Sequence, residues 1–335
     1  MKTVVTSGRG FRAYAVSFLA GSVLALAAAG SPAWSEDAYP SRVVRIIVPY
    51  GAGGIADVTM RMVAEQMSKK LGQTFIIENK PGAGGVIGMK AALSAPADGY
   101  TLSMIGGGLT IAKSLFKSLP YDLTSDLIPI STTASYGLVI ATKAGSPLKT
   151  VKDVIAAAKA KPGSLNFGTI NPGSTQHLSA ELFKSMAGIE VTMVPYKTTP
   201  ELATAVIRGD VDVAFEYYAG FQSPIENGQI AAIAATGPKR AAELPNVPTA
   251  IESGLPGYDV TSWNGLAAPV GTPANVVKIL NAAVNDAVKA PEVQKISSQN
   301  GMTAEGSTVE DLQKRIKSDI AKWADVIQKA GIEKR

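Results

Sequence analysis

Three times between residues 42 and 108 a short strand-like run meets a cluster of glycines, and that rhythm restricts the fold more than any other feature. Residues 42–49 (RVVRIIVP) form an apolar run that ends at Gly51, Gly53 and Gly54, which reads as a buried strand. Val58, Met62, Val63, Met67 and Leu71 follow at helical spacing, and Gly72 supplies the stop. Residues 74–77 repeat the strand, residues 82–88 open a helix running to about residue 95, and residues 100–105 form a third strand ending in Gly106, Gly107 and Gly108. Strand, glycine turn and helix in succession predict an α/β fold with a parallel sheet.

The series restarts after residues 138–141. Thr150 caps a helix to residue 160, residues 166–169 form a strand, and the turn 171–175 leads into a helix carrying His177. Strands at 191–194, 211–215, 230–236 and 260–267 follow, with helices at 200–208 and from Pro273 and Thr308. One sheet would be crowded by so many elements. Two lobes are therefore expected, each a mainly parallel sheet flanked by helices: residues 36–140 and 260–335 in lobe 1, and residues 141–259 in lobe 2. Hinges are expected near 138–142 and 257–262. In such folds ligands bind outside the carboxyl ends of the strands, where the turns gather.

Composition removes many chemistries. The chain has 335 residues and no cysteine, which excludes disulfides, thiolate metal sites, thiol nucleophiles and a lipid anchor on cysteine. His177 is the only histidine, so a two-histidine metal site cannot form within one chain, and no metal, cofactor or catalytic residue is expected. No serine lies in a G-x-S-x-G elbow, so His177 is read as structural, holding the 171–175 turn. The net charge of +5 includes Lys2, Arg9 and Arg12, and no acid precedes Glu36. The remainder is too close to neutral for a nucleic-acid binder, so no nucleic-acid partner is expected.

Residues 1–12 are basic, residues 13–29 are uncharged and apolar, and Ala33-Trp34-Ser35 offers a small-x-small site. This is the pattern of an export signal, residues 1–35, cleaved near Ser35. No later segment reaches about 18 consecutive apolar residues. A monomer outside the cytoplasm is expected.

The glycine turns admit two readings. Gly51 to Ala56 formally match G-x-G-x-x-G/A, and Glu78 stands near the place of a ribose-binding acid, which would suit an NAD(P)-type oxidoreductase. Against it, Pro49-Tyr50 separates the strand from Gly51, and a second glycine turn follows Glu78 at once. The other reading is anion binding. Helix N-termini offer unpaired N–H groups and a partial positive charge, and glycine lets a carboxylate approach them. Such ends are expected at Gly53-Gly54, Gly84-Gly85, Gly106-Gly107 and the turn Asn171 to Thr175. Tyr196-Lys197 and Glu216 follow strands of the second series and are placed at the same cleft.

Several blocks resemble the Bug-type, or tripartite tricarboxylate transporter, solute receptors. They are residues 39–57 (YPSRVVRIIVPYGAGGIAD), 78–85 (ENKPGAGG), 96–101 (PADGYT), 119–122 (LPYD), 174–178 (STQHL), 194–197 (VPYK), 209–212 (GDVD), 244–249 (LPNVPT) and 254–258 (GLPGY). The resemblance implies a periplasmic binding protein of type II-like architecture. Two α/β lobes, joined by two crossing strands, would close on a small mono-, di- or tricarboxylate, aromatic acids included, and deliver it to membrane transporter subunits. It assigns carboxylate contacts to the loop Tyr50, Gly51, Ala52, Gly53 and Gly54, with Asp57 at the adjoining helix start. Second-lobe contacts fall on Thr169, Ser174, Thr175, Tyr196 and Lys197. Ala56 stands where the family commonly has Thr, and Glu216 where it commonly has Asp. A carboxylate sensor feeding a signalling partner is a further reading.

Overall fold

Strand β1 (Val44–Val48) buries every residue except Arg45, as a strand covered on both faces must. It pairs in parallel with β2 (Phe75–Asn79) and β3 (Thr101–Gly106). Helix α1 (Ile55–Leu71) joins the first two strands, and α2 (Val86–Leu93), entered through a short 3-10 turn at Ala83–Gly85, joins the next. Helix α3 (Gly107–Leu115) leaves β3 directly. The computed structural model describes residues 1–4 and 39–334, so the expected export signal lies almost wholly outside the described residues. From residue 42 onward the chain forms one compact unit.

The next strand, β4 (Leu127–Lys143), is 17 residues long and changes partners midway. Residues 127–137 pair antiparallel with β9 (Thr261–Pro269), which in turn pairs with β3. Residues 138–143 pair antiparallel with β7 (Val213–Tyr217) and β8 (Ile230–Ala235). Around β7 lie β5 (Asn166–Ile170) and β6 (Thr192–Tyr196), paired in parallel. The order is β2-β1-β3-β9-β4-β7-β5-β6, with β8 off β4. The sheet is thus parallel toward both ends and antiparallel at the centre. Mixed pairing follows from strands that pass between halves and run against their neighbours.

Helices α4 (Val151–Ala160), α5 (Thr175–Ala187), α6 (Thr199–Arg208) and α7 (Tyr218–Glu226) connect the second half. Thr150 and Asp153 close a capping box on α4, satisfying two backbone donors that the helix cannot. Phe167, Phe183, Phe215 and Tyr258 meet at 5.5–5.9 Å between rings in the core of this half. Helices α8 (Ala274–Ala287), α9 (Pro291–Gln299) and α10 (Val309–Lys329) follow β9. Helix α10 serves both halves. Leu312 and Ile316 pack with Ile105, Leu109 and Trp263, whereas Trp323, Val326 and Ile327 join the core of Phe167 and Phe183.

Where β4 changes partners, Thr236 ties the crossing segments. Its Oγ1 accepts from Leu138 N–H at 2.8 Å and donates to the Val260 carbonyl at 2.8 Å, while its own N–H donates to the Leu138 carbonyl. Among the described residues no helix is long and apolar enough to cross a membrane.

Candidate functional site

The loop between β1 and α1 is clamped before any ligand arrives. Asp57, buried in the first turn of α1, accepts from Gly53 N–H at 2.9 Å, Arg61 Nε at 3.0 Å and Asn79 Nδ2 at 2.9 Å. Asn79, at the end of β2, also donates to the Tyr50 carbonyl, so one amide spans the loop. Burial opposes ionisation of Asp57, but these hydrogen bonds and the Arg61 charge outweigh it and hold the carboxyl at about 2. The clamp leaves Gly54 at the N-cap of α1 with no side-chain cap, its first-turn N–H groups beyond reach of any intrahelical carbonyl.

Helix α3 begins in the same way. Gly106 caps it without a side chain, in extended backbone. A Cβ on Gly106 would lie 2.5 Å from the Trp263 carbonyl, and one on Gly108 would lie 2.7 Å from the Tyr50 hydroxyl. These glycines let β9 and Tyr50 come up against the start of α3. Across from them, Ser174 caps α5 and Tyr217 caps α7.

Gly54, Gly106, Ser174 and Tyr217 all line one cavity of about 370 Å³. Four helix N-termini, two from each half of the sheet, therefore open onto a single space. The rest of its wall is Tyr50, Ile55, Ala56, Met104, Gly107, Gly108, Ile111, Tyr136, Ile170, Gly173, Thr175, Gln176, Ser262, Trp263 and Asn264. None of these described lining residues carries a charged side chain. Burial raises the hydroxyl pKa of Tyr50, Tyr136 and Tyr217, so all three stay protonated and can donate. Tyr136 donates to Asn264 Oδ1 at 3.0 Å, and its ring meets that of Tyr217 edge-on at 5.3 Å.

Among the sequence-predicted residues, Tyr50, Gly54, Gly106, Gly107, Ser174 and Thr175 come together on this wall. Others lie off it for identifiable reasons. Gly51 and Ala52 are exposed at the loop tip, and the Gly53 N–H, expected to face a carboxylate, is taken by Asp57. Asp57 itself is turned to Arg61 and Asn79. Gly85 is a packing glycine: a Cβ there would meet Leu109 at 2.6 Å, and one on Gly84 would meet Phe116 at 3.1 Å. Thr169 is fully buried, with no hydrogen-bond partner for its Oγ1. Asn171 and Lys197 are exposed, and Tyr196 lines a separate depression with Pro200, Glu201, Thr204, Arg208 and Asp210.

The Ser174 hydroxyl, expected to reach a ligand, accepts from His177 N–H and donates to the Ile170 carbonyl, so its proton is committed to the cap. His177 Nδ1 accepts from Gly173 N–H at 3.3 Å, which fits a histidine that holds the turn. Glu216 is buried behind the wall. Its Oε1 accepts from Gln176 Nε2 and Tyr217 N–H, and its Oε2 from Thr199 Oγ1. Burial pushes its carboxyl up, against these three hydrogen bonds. Glu78, placed earlier as a ribose acid, is paired with Arg45 and Lys80 instead.

Residues missed by sequence reasoning include Gln176 in the first turn of α5 and four on the crossing strands: Tyr136 on β4, and Ser262, Trp263 and Asn264 on β9. The signal on β9 was Ser262 and Asn264, two polar side chains leading into an apolar run, which a buried strand tolerates only with partners.

A sequence profile described as tripartite tricarboxylate transporter family receptor matches residues 59–332. The protein BugT of Bordetella pertussis strain Tohama I is 33% identical over 313 residues, 93% of this chain and 96% of that protein. Among solved structures, Rpa4515 of R. palustris with adipate is 33% identical with a TM-score of 0.75, covering 88% of this chain and 99% of that one. MatC (Rpa3494) from Rhodopseudomonas palustris with bound malate is 29% identical with a TM-score of 0.69, covering 86% and 100%. The matches describe solute-binding receptors rather than enzymes. With its two-half sheet, its cavity at the strand ends and a match over most of its length, this chain belongs to the tripartite tricarboxylate transporter receptor family.

Proposed function

We propose that the protein captures a small carboxylate-bearing organic acid in the 370 Å³ cavity and delivers it, in the periplasm, to a tripartite membrane transporter. The observation that carries this reading is the convergence of four helix N-termini on one space whose described lining side chains are all uncharged. A buried anion needs compensation, and aligned backbone dipoles supply it without a cation. Free N–H groups at Gly54, Ile55 and Ala56 are assigned to the carboxylate, with Gly106 and Gly107 opposite. Thr175 and Tyr217, at the starts of α5 and α7, line the side of the cavity assigned to the rest of the ligand. The solved relatives with adipate and malate support a carboxylate ligand.

The lobes are assigned as residues 36–140 with 260–335, and 141–259, with α10 strapped across both. Closure about the Thr236 tie would trap the acid. Export through cleavage near Ser35 belongs to the same reading and is checked by N-terminal sequencing of periplasmic protein. Mass spectrometry of small molecules released from the purified protein, followed by calorimetry with what is found, tests the ligand class. Release of a carboxylic acid that rebinds at one site supports it; an uncharged or cationic ligand sinks it.

A further inference from the structure

Gln176 is the wall residue whose hydrogen-bonding is set from behind. It is 4% exposed, lines the cavity from the first turn of α5, and donates through Nε2 to Glu216 Oε1 at 2.7 Å. The same Oε1 accepts from Tyr217 N–H at 2.7 Å, which fixes that oxygen as an acceptor whatever the protonation state of Glu216. An amide whose nitrogen end is pinned in this way turns its carbonyl oxygen away from Glu216. The wall it shares carries no charged side chain and includes the rings of Tyr136, Tyr217 and Trp263. An acceptor oxygen in such a place attracts a hydroxyl hydrogen and repels a carboxylate oxygen.

We propose that the cleft selects organic acids whose far end carries an uncharged hydroxyl group, and that Gln176, oriented by Glu216, is the specificity residue that reads it. The proposal rests on the carboxylate reading above, with one carboxylate at the helix starts of α1 and α3. A second carboxylate at the far end would face the Gln176 oxygen, with the buried Glu216 carboxyl behind it. Glu216 is a positioning residue, since its own oxygens are occupied by Gln176, Tyr217 and Thr199.

Calorimetry on two series tests this. One is benzoate, 4-hydroxybenzoate and terephthalate; the other is hexanoate, 6-hydroxyhexanoate and adipate. In whichever series binds more tightly, the hydroxy acid should exceed both its unsubstituted parent and its diacid by about tenfold. Gln176→Leu should bring the ratio of hydroxy acid to parent within about twofold. Glu216→Leu should also shrink that ratio, because no oxygen at 216 then accepts from Gln176 Nε2 and its amide is free to turn; a merely structural role would leave the ratio intact. The unaltered protein alone gives the first comparison, so a variant that fails to fold does not end the test. If acids bind but the diacid is preferred, or if Gln176→Leu keeps the discrimination, this proposal falls and the carboxylate reading stands. If no acid of either series binds, both fall.

Discussion

Asp57 holds the β1–α1 loop from behind. It does not face the cavity, yet it sets the shape of the loop that does, by accepting from Gly53, Arg61 and Asn79. Its carboxyl is held at about 2, below the ordinary 3.8, so its ionised form stabilises the fold. A depressed folded-state pKa contributes stability that is complete above the unfolded value and is lost as pH falls through the folded one. Asp57→Asn should therefore cost about 2 kcal/mol at pH 7, and its stability should vary less between pH 4 and 2 than that of the unaltered protein. Urea titrations across that range check this; parallel curves would show that the clamp contributes nothing. The glycines and Tyr50 were legible in the sequence because backbone turns announce themselves locally. What Asp57 and Asn79 do to each other was not, since Asn79 comes from the next strand, 22 residues away.

Elements show the same division between local and distant signals. Helices α1 and α10 were readable from their amphipathic spacing, and α4 from the capping Thr150. The full length of β4 was not, because its centre, STTASYG, is polar and contains no alternation; its first five residues are nonetheless buried. Helix α7 was also missed, since Pro224 inside it reads as a turn. Two elements invite measurement. Thr236→Val removes an oxygen that both accepts from Leu138 and donates to Val260, leaving a buried N–H and carbonyl each short of a partner. The expected cost is about 1–3 kcal/mol in denaturant titration, and a loss below about 0.5 would mean the tie is dispensable. Trp323→Ala empties the place where α10 enters the second core and should cost about 3–5 kcal/mol. Its readout is the same titration, and a near-neutral result would show that α10 is not a strap.

At the scale of the whole molecule, two half-sheets share one long strand, and helix starts from both meet at the cavity. Two-lobed architecture was legible because the strand and helix series restarts; the antiparallel centre was not, because pairing partners lie about 130 residues apart in sequence. Such an arrangement predicts closure on binding, which small-angle scattering would record as a smaller radius of gyration with ligand present. An unchanged radius alongside tight binding would argue for a rigid site.

The central claim is that backbone N–H groups, rather than a cation, hold the acid. Gly54 has φ −79, and a Cβ there would meet only the Gly51 carbonyl, at 3.9 Å, so the fold has room for a larger residue, whose side chain would stand where the proposed carboxylate approaches. Calorimetry with the most tightly bound acid should show about a hundredfold weaker binding for Gly54→Val at an unchanged melting temperature. Lys197→Met, which alters an exposed cation away from the cavity wall, should shift affinity by less than about threefold. Loss of binding in Lys197→Met with retention in Gly54→Val would contradict the account.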